Sequence, residues 1–477
     1  MLFNSISFLL FFPTVCLLYF IVPHKYRWLL LLIASYYFYM SWKASYAILL
    51  LSITIINYSA GLMMAKYTQK RQRKFITIMT VVLSLSTLYY FKYFNFFGET
   101  INFFLQKFGI GLNIPLNQII LPVGISFFTF QALSYTIDVY RGDMKVERNF
   151  GIFALFVSFF PQLVAGPIER ATNLLKQFYE KHNFSEDQLS QGLRLMLWGM
   201  FKKVVIADRA AIYVNEVYNN HTQYGGIAYI IATILFAIQI YCDFSGYSDL
   251  ARGSARIMGF RLMVNFRFPY FSRNVSAYWQ KNHISLTTWL KDYIYYPLVE
   301  IKPTIYRMCL ITMFTFLLSG LWHGADWTFV IWGGWQAVFL IYDILIRRFR
   351  KKLDKWLKKR RLFNLSLYFR YLITFVILAL GLVFFRASSI TQAQEVLTGI
   401  ITLKTGEIYL NYSALLYSLA GIIILISAEY NDHLDFDEFV QLRFKNRIIR
   451  WGYYYFILMI ILALGSKESA EFIYFQF

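Results

Sequence analysis

Hydrophobic positions in this chain come in long unbroken runs, not in the alternation of a half-buried strand or the stripe of a surface helix. Apolar stretches fall at 5–22, 28–42, 46–64, 75–97, 118–138, 191–214, 227–249, 305–322, 325–346, 365–385, 411–429 and 451–465. A bilayer crossing needs about 20 such residues. The pattern therefore predicts an all-α polytopic membrane protein with about twelve spans. A further apolar stretch, 150–166, carries Pro161, Gly166 and Pro167, which argue against a straight helix at its end and for a re-entrant segment. The opening MLFNSISFLLFFPTV lacks a basic start and a small-residue cleavage site, so it reads as a retained first span and not as a signal peptide.

Composition sharpens this. Of 477 residues, 58% are hydrophobic and 15% charged, and the mean hydropathy is +0.47. Ordinary soluble domains are about half apolar and about a quarter charged, so a soluble globular domain, a disordered chain and a coiled coil are excluded. Cys16, Cys242 and Cys309 are far apart in apolar context, which indicates neither a disulfide framework nor a metal site.

The net charge of +21 would point to nucleic acid in a soluble protein. Here it lies in a few loops. The run RRFRKKLDKWLKKRR at 347–361 holds ten Lys/Arg and one Asp, and Lys66, Lys70, Arg71, Arg73 and Lys74 form a second basic group. Arg443, Lys445, Arg447 and Arg450 form a third, whereas 215–226 has no Lys or Arg. Basic loops stay cytoplasmic, drawn by anionic lipid. Twelve spans with 150–166 dipping in and returning put every basic loop inside and both termini outside. Run 347–361 reads as a solvated linker on the inner leaflet or as a docking surface for a cytosolic donor protein.

Ionisable groups at membrane depth are costly and mark function. Four groups stand out. The segment YCDFSGYSD at 241–249 gathers Asp243, Ser245 and Asp249 behind Gln239; its carboxylates are either solvated caps or the lining of a membrane cavity. The amphipathic, aromatic stretch 265–298 contains Asn282 and His283, and that histidine is an interfacial hydrogen-bonding group or part of a site. In LLSGLWHGADWTFVIWGGW, 317–335, Gly320, Gly324, Gly333 and Gly334 allow close helix approach, and His323 sits at a span junction beside Trp322 and Asp326. A neutral imidazole there can take a proton near neutral pH. Gln131, Ser134 and Asp138 follow i, i+3, i+7 spacing and form one polar stripe, expected to pack against other helices. His24, His182, His221 and His433 fall in loops and are given no role. No G-x-S-x-G, Walker A or H-E-x-x-H motif is present, and no internal repeat of a transporter. From the residues alone, the reading is a membrane enzyme or transporter with a histidine in a polar cavity.

Five segments narrow it: LPVGISFFTFQALSYTIDVYRG, FFPQLVAGPIER, YCDFSGYSDLARGSARIMGF, NHISLTTWLKDYIYYPL and LLSGLWHGADWTFVIWG. In this order, over roughly 121–333, the chain resembles the membrane-bound O-acyltransferases, in particular their bacterial alginate O-acetylase branch. The resemblance implies one membrane domain over 1–477: N-terminal spans in 1–117, a catalytic core in 118–346 and further spans in 347–477. It implies a ring of helices around a thinned centre, with a channel reaching a buried histidine. His323 corresponds to the family's invariant histidine and His283 to its second motif histidine. The chain departs from the family at Asn282, where relatives carry an aromatic residue, at Val299-Glu300, where they carry Gly-Gly, and at Gln336, where a histidine is frequent.

The expectation that follows is acyl transfer across the membrane. A cytosolic thioester, acetyl-CoA or an acyl carrier protein, would deliver the acyl group with no bound cofactor. A hydroxyl of an extracytoplasmic glycan, or of a partner protein that relays the group, would receive it. His323 would act as general base; His283 or Asn282 would face the oxyanion; Gln239, Asp243, Ser245, Asp249, Trp322, Asp326 and Gln336 would line the channel. Alginate-like exopolysaccharide is the first acceptor and peptidoglycan the second; D-alanyl transfer to teichoic acid is the third reading. A glycolipid flippase and an inactive scaffold are the competing classes.

Overall fold

The computed structural model describes residues 1, 3–299, 303–429, 440, 441, 443–466 and 472–475; Glu300 and His433 lie outside them. These residues are helical, with no strand beyond the isolated bridge of Tyr224 and Glu407. Among the described residues, eight helices are long and apolar enough to cross a membrane, which makes this a multi-pass membrane protein. The remaining apolar stretches form other elements. Ile6–Ile21, His24–Met40 and Ile125–Arg141 are helices of 16 and 17 residues. The stretch 191–214 is interrupted by a π-turn at Phe201–Ala207, where Lys202 and Lys203 sit.

The chain divides into two compact units. The first comprises residues 1–193 and 251–263. In it, the stretch 150–166 is broken, as Pro161 favours: a helix ends at Ser158, Phe159 leaves the helical conformation (φ −50°, ψ 112°), and Pro161 sits in the first turn of a short helix at Phe160–Leu163. Polar side chains inside this unit bond between helices: Asn57 Oδ1 accepts from Thr136 Oγ1 at 2.7 Å, and Asn57 Nδ2 donates to Ser84 Oγ at 3.2 Å. The stripe Gln131, Ser134 and Asp138 is buried, and Gln131 donates to the Phe156 carbonyl. Glu169, wholly buried, accepts from the Met263 N–H and from Asn173. Burial pushes its carboxyl up to about 7.

The second unit comprises residues 194–250 and 264–477. Its central hairpin pairs Ile305–His323 with Trp327–Leu345. Glycine permits the contact. A Cβ at Gly320 would lie 2.2 Å from the Phe329 carbonyl oxygen, and one at Gly333 would lie 2.2 Å from that of Phe316. Without water to squeeze out, membrane helices associate through such close packing. Gly334 takes no part, since its nearest neighbour would be Leu317 at 3.6 Å. The basic run 347–361 is helical over Arg347–Lys359.

Candidate active site

His323 is the last residue of its helix and is buried. Four aromatic rings wall it: Trp322 at 4.9 Å between centroids, Trp332 at 5.0 Å, Phe385 at 5.5 Å and Tyr474 at 5.6 Å. The fifth neighbour is His283, 6.2 Å away. The two histidines come from motifs 40 positions apart in sequence (323 − 283), and the fold brings them together.

His283 precedes the short helix Ile284–Leu290 with φ 45° and ψ 53°. A non-glycine residue in this left-handed region costs of order 1–3 kcal/mol and persists where surroundings over-determine it. Here Asn265 does so. Its backbone carbonyl accepts the Ile284 N–H, and its Oδ1 accepts the Ser285 N–H at 3.1 Å and hydroxyl at 2.9 Å. Since that oxygen is an acceptor, His283 Nδ1, 3.2 Å away, is the donor. The proton is thus held on Nδ1 and the lone pair on Nε2. Burial pushes the His283 imidazole down to about 3, so it is neutral. Phe244 and Trp322 pack on its ring at 4.6 and 5.8 Å.

The expected lining residues separate. Trp322 is at the site. Gln336 is buried and accepts from the Trp279 indole N–H at 3.3 Å. Gln239 and Ser245 are buried on Gly226–Ile257, each with a side-chain oxygen that has no hydrogen-bond partner among the described residues. Asn282 is half-buried, and its carbonyl accepts from Thr287 Oγ1. Asp326 lies at the surface, only partly buried, and caps the next helix by accepting the Thr328 N–H at 2.8 Å. Asp243 and Asp249 are buried inside a helix that runs on to Ile257 and are not solvated caps. Asp249 pairs with Lys202 at 2.5 Å and Asp243 with Lys203 at 2.7 Å. Sequence reasoning missed these lysines, although two adjacent lysines inside an apolar stretch were a legible signal. It also missed Asn265, Phe385 and Tyr474, for which no local signal existed.

A cavity of about 580 Å³ opens beside the His323 helix. Its lining climbs the His323 helix through Thr312, Thr315 and Phe316 to Ser319, one turn short of His323. The lining also holds Arg273 and Lys291 and, at the hairpin end away from His323, Arg347, Arg350 and Lys351 against Asp343 and Asp354. Arg350 pairs with Asp343 at 2.6 Å, and the remaining cations leave the lining positive.

Residues 34–385 match the model of the membrane-bound O-acyltransferase family. The chain belongs to this family. As a membrane-bound O-acyltransferase it is an enzyme, and it is similar to members named as acetyl-transferring. It is 37% identical over 428 residues to the probable alginate O-acetylase of Pseudomonas aeruginosa, covering 89% of this chain and 80% of that one. The corresponding protein of Azotobacter vinelandii is 39% identical over 397 residues, 82% of this acyltransferase and 76% of the relative. The peptidoglycan O-acetyltransferase of Helicobacter pylori is 32% identical over 444 residues, 85% and 80% of the two chains. His283 and His323 lie inside the family match; Tyr474 lies beyond it.

Proposed function

We propose that this acyltransferase moves an acetyl group from a cytosolic thioester to hydroxyls of an extracytoplasmic polysaccharide of the alginate type. The observation that carries it is a buried histidine pair, His323 of which ends a helix whose preceding turns, Thr312 to Ser319, line a cavity that also holds Arg273, Lys291, Arg347, Arg350 and Lys351. Acetyl-CoA and carrier-bound pantetheine both present phosphates followed by a slender arm. The positive end of the cavity suits the phosphates, and the threonine- and Phe316-lined interior suits the arm.

His323 acts as the general base on the acceptor hydroxyl. Its position at the carbonyl end of a helix stabilises the imidazolium that forms. His283 has committed its N–H to Asn265, so its Nε2 accepts and does not donate; oxyanion donors are therefore sought elsewhere. In this reading the shorter apolar helices complete twelve crossings around a central channel of the cell membrane, with both termini outside. The donor end then faces the cytosol, beside the basic helix Arg347–Lys359, and the His323 end faces the acceptor, a glycan or a relaying partner.

The test is His323→Ala in cells that carry the glycan. Loss of acetyl ester at unchanged protein level supports the proposal, and retained ester overturns it. A second acceptor, peptidoglycan, is favoured by the similarity to the Helicobacter pylori enzyme; ester recovered in muropeptides and not in exopolysaccharide would select it.

A further inference from the structure

Tyr474 reaches His323 from the short turn Ile473–Phe475, and such a turn cannot hold itself in place. Three residues make no self-sufficient hydrogen-bond ladder, and a buried backbone N–H needs an acceptor. The Ile473 N–H finds one in Asp243 Oδ2 at 2.8 Å. The other carboxylate oxygen, Oδ1, lies 2.7 Å from Lys203 Nζ, which is also 2.9 Å from Asp208 Oδ1. All three charged side chains and Ile473 are buried.

A buried ion pair is weak evidence of stabilisation, because desolvation offsets most of the attraction. Its best-attested use is to specify one arrangement. Here the arrangement is visible: Phe472 packs against Tyr247 and Phe244, and Tyr474 against Phe244 and His323, at tilted or edge-on ring angles. The same π-turn that carries Lys203 also receives the preceding chain, with the Val204 carbonyl accepting the Ser466 N–H at 3.0 Å. Arg209, just beyond it, donates to the carbonyls of Leu464 and Gly465 at 2.8 and 2.9 Å.

We infer that Asp243, oriented by Lys203, is a positioning residue that holds the Ile473 turn so that Tyr474 closes one wall around His323. The active-site meaning of this wall rests on the proposed acyl transfer; the positioning itself does not.

Two ends of one bond are changed. Asp243→Asn removes the charge that accepts. Ile473→Pro removes the N–H, and Ile473→Ala keeps it while shortening the side chain. In chains carrying Tyr474→Cys, the rate of maleimide alkylation in membranes is measured above the background of Cys16, Cys242 and Cys309. Asp243→Asn and Ile473→Pro should each raise it at least about tenfold, the scale of losing a hydrogen bond to a charged group. The double variant should go no further, and Ile473→Ala should change it little. In chains retaining Tyr474, acetyl ester should fall in the same non-additive way. Effects of Asp243→Asn and Ile473→Pro that multiply, or an unmoved alkylation rate, overturn the inference. If Asp243→Asn fails to accumulate, Ile473→Pro against Ile473→Ala decides alone, and equal rates overturn it. Absence of ester from the unaltered protein would count against the acyl-transfer reading and leave the alkylation result standing.

Discussion

The imidazole rings of His283 and His323 stand edge to face with centroids 6.2 Å apart and planes inclined at 61°. They are not hydrogen-bonded partners at this spacing, and their surroundings differ. His283 is fixed by Asn265 and neutral; His323 is enclosed by aromatic rings at a helix end. Two imidazoles in unlike environments take unlike roles.

Substitution of His323 should therefore be the more severe. General-base contributions are typically 10²–10⁴-fold, so His323→Ala should lower acetyl ester formation by about that factor at constant protein level. Ester content of the isolated glycan, normalised to enzyme in membranes, checks this.

Asn265 should matter without touching substrate. Asn265→Leu removes the acceptor that serves His283 Nδ1 and both Ser285 donors. A buried donor left unsatisfied costs about 1–3 kcal/mol. The expected outcome is lower thermal stability in detergent together with roughly tenfold lower activity. Activity at the wild-type level would show that the His283 tautomer is irrelevant.

At the cavity, charge reversal should act on binding. Arg347→Glu with Lys351→Glu inverts two cations of its positive end. KM for the thioester should rise by about tenfold or more with kcat little changed, since the substitutions lie away from the reacting atoms. Initial rates against donor concentration separate the two parameters.

The helix hairpin makes a contrast between neighbouring glycines. Gly333→Val would put a Cβ 2.2 Å from the Phe316 carbonyl oxygen, whereas Gly334→Ala meets Leu317 at 3.6 Å. Overpacking costs about 1–3 kcal/mol or more, and a backbone neighbour has no rotamer to yield. Gly333→Val should fail to accumulate in membranes and Gly334→Ala should accumulate normally, as measured by immunoblot.

Glu169 should give a pH dependence of known sign. Its carboxyl stands at about 7 in the folded protein against an ordinary 4.5. Between those values the folded state holds more protons than the unfolded one, so this group's contribution falls as pH rises through that window. Relative to Glu169→Gln, which cannot titrate, the unaltered protein should lose thermal stability between about pH 4.5 and 7. Parallel melting curves across that range would contradict the shift.

The linear order of residues determined the membrane class, because uninterrupted apolar runs with so few charges have no other stable solvent. It also determined where to look. Charged and imidazole groups are expensive at membrane depth, so His323, His283 and the 241–249 segment stood out against an apolar background. The break in 150–166 was legible for a local reason, the missing N–H and fixed φ of Pro161. What the tertiary structure decided were partners. Asp249 meets a lysine 47 positions away, and Asp243 meets a backbone N–H 230 positions away. Hydropathy sums each position's own cost of burial and is silent on which distant group offsets it. The helix cap that Asp326 makes with the Thr328 N–H was unread for the same reason. The left-handed backbone of His283, the tautomer set by Asn265 and the approach of Tyr474 to His323 arise only when the elements pack and each buried polar group must find its complement.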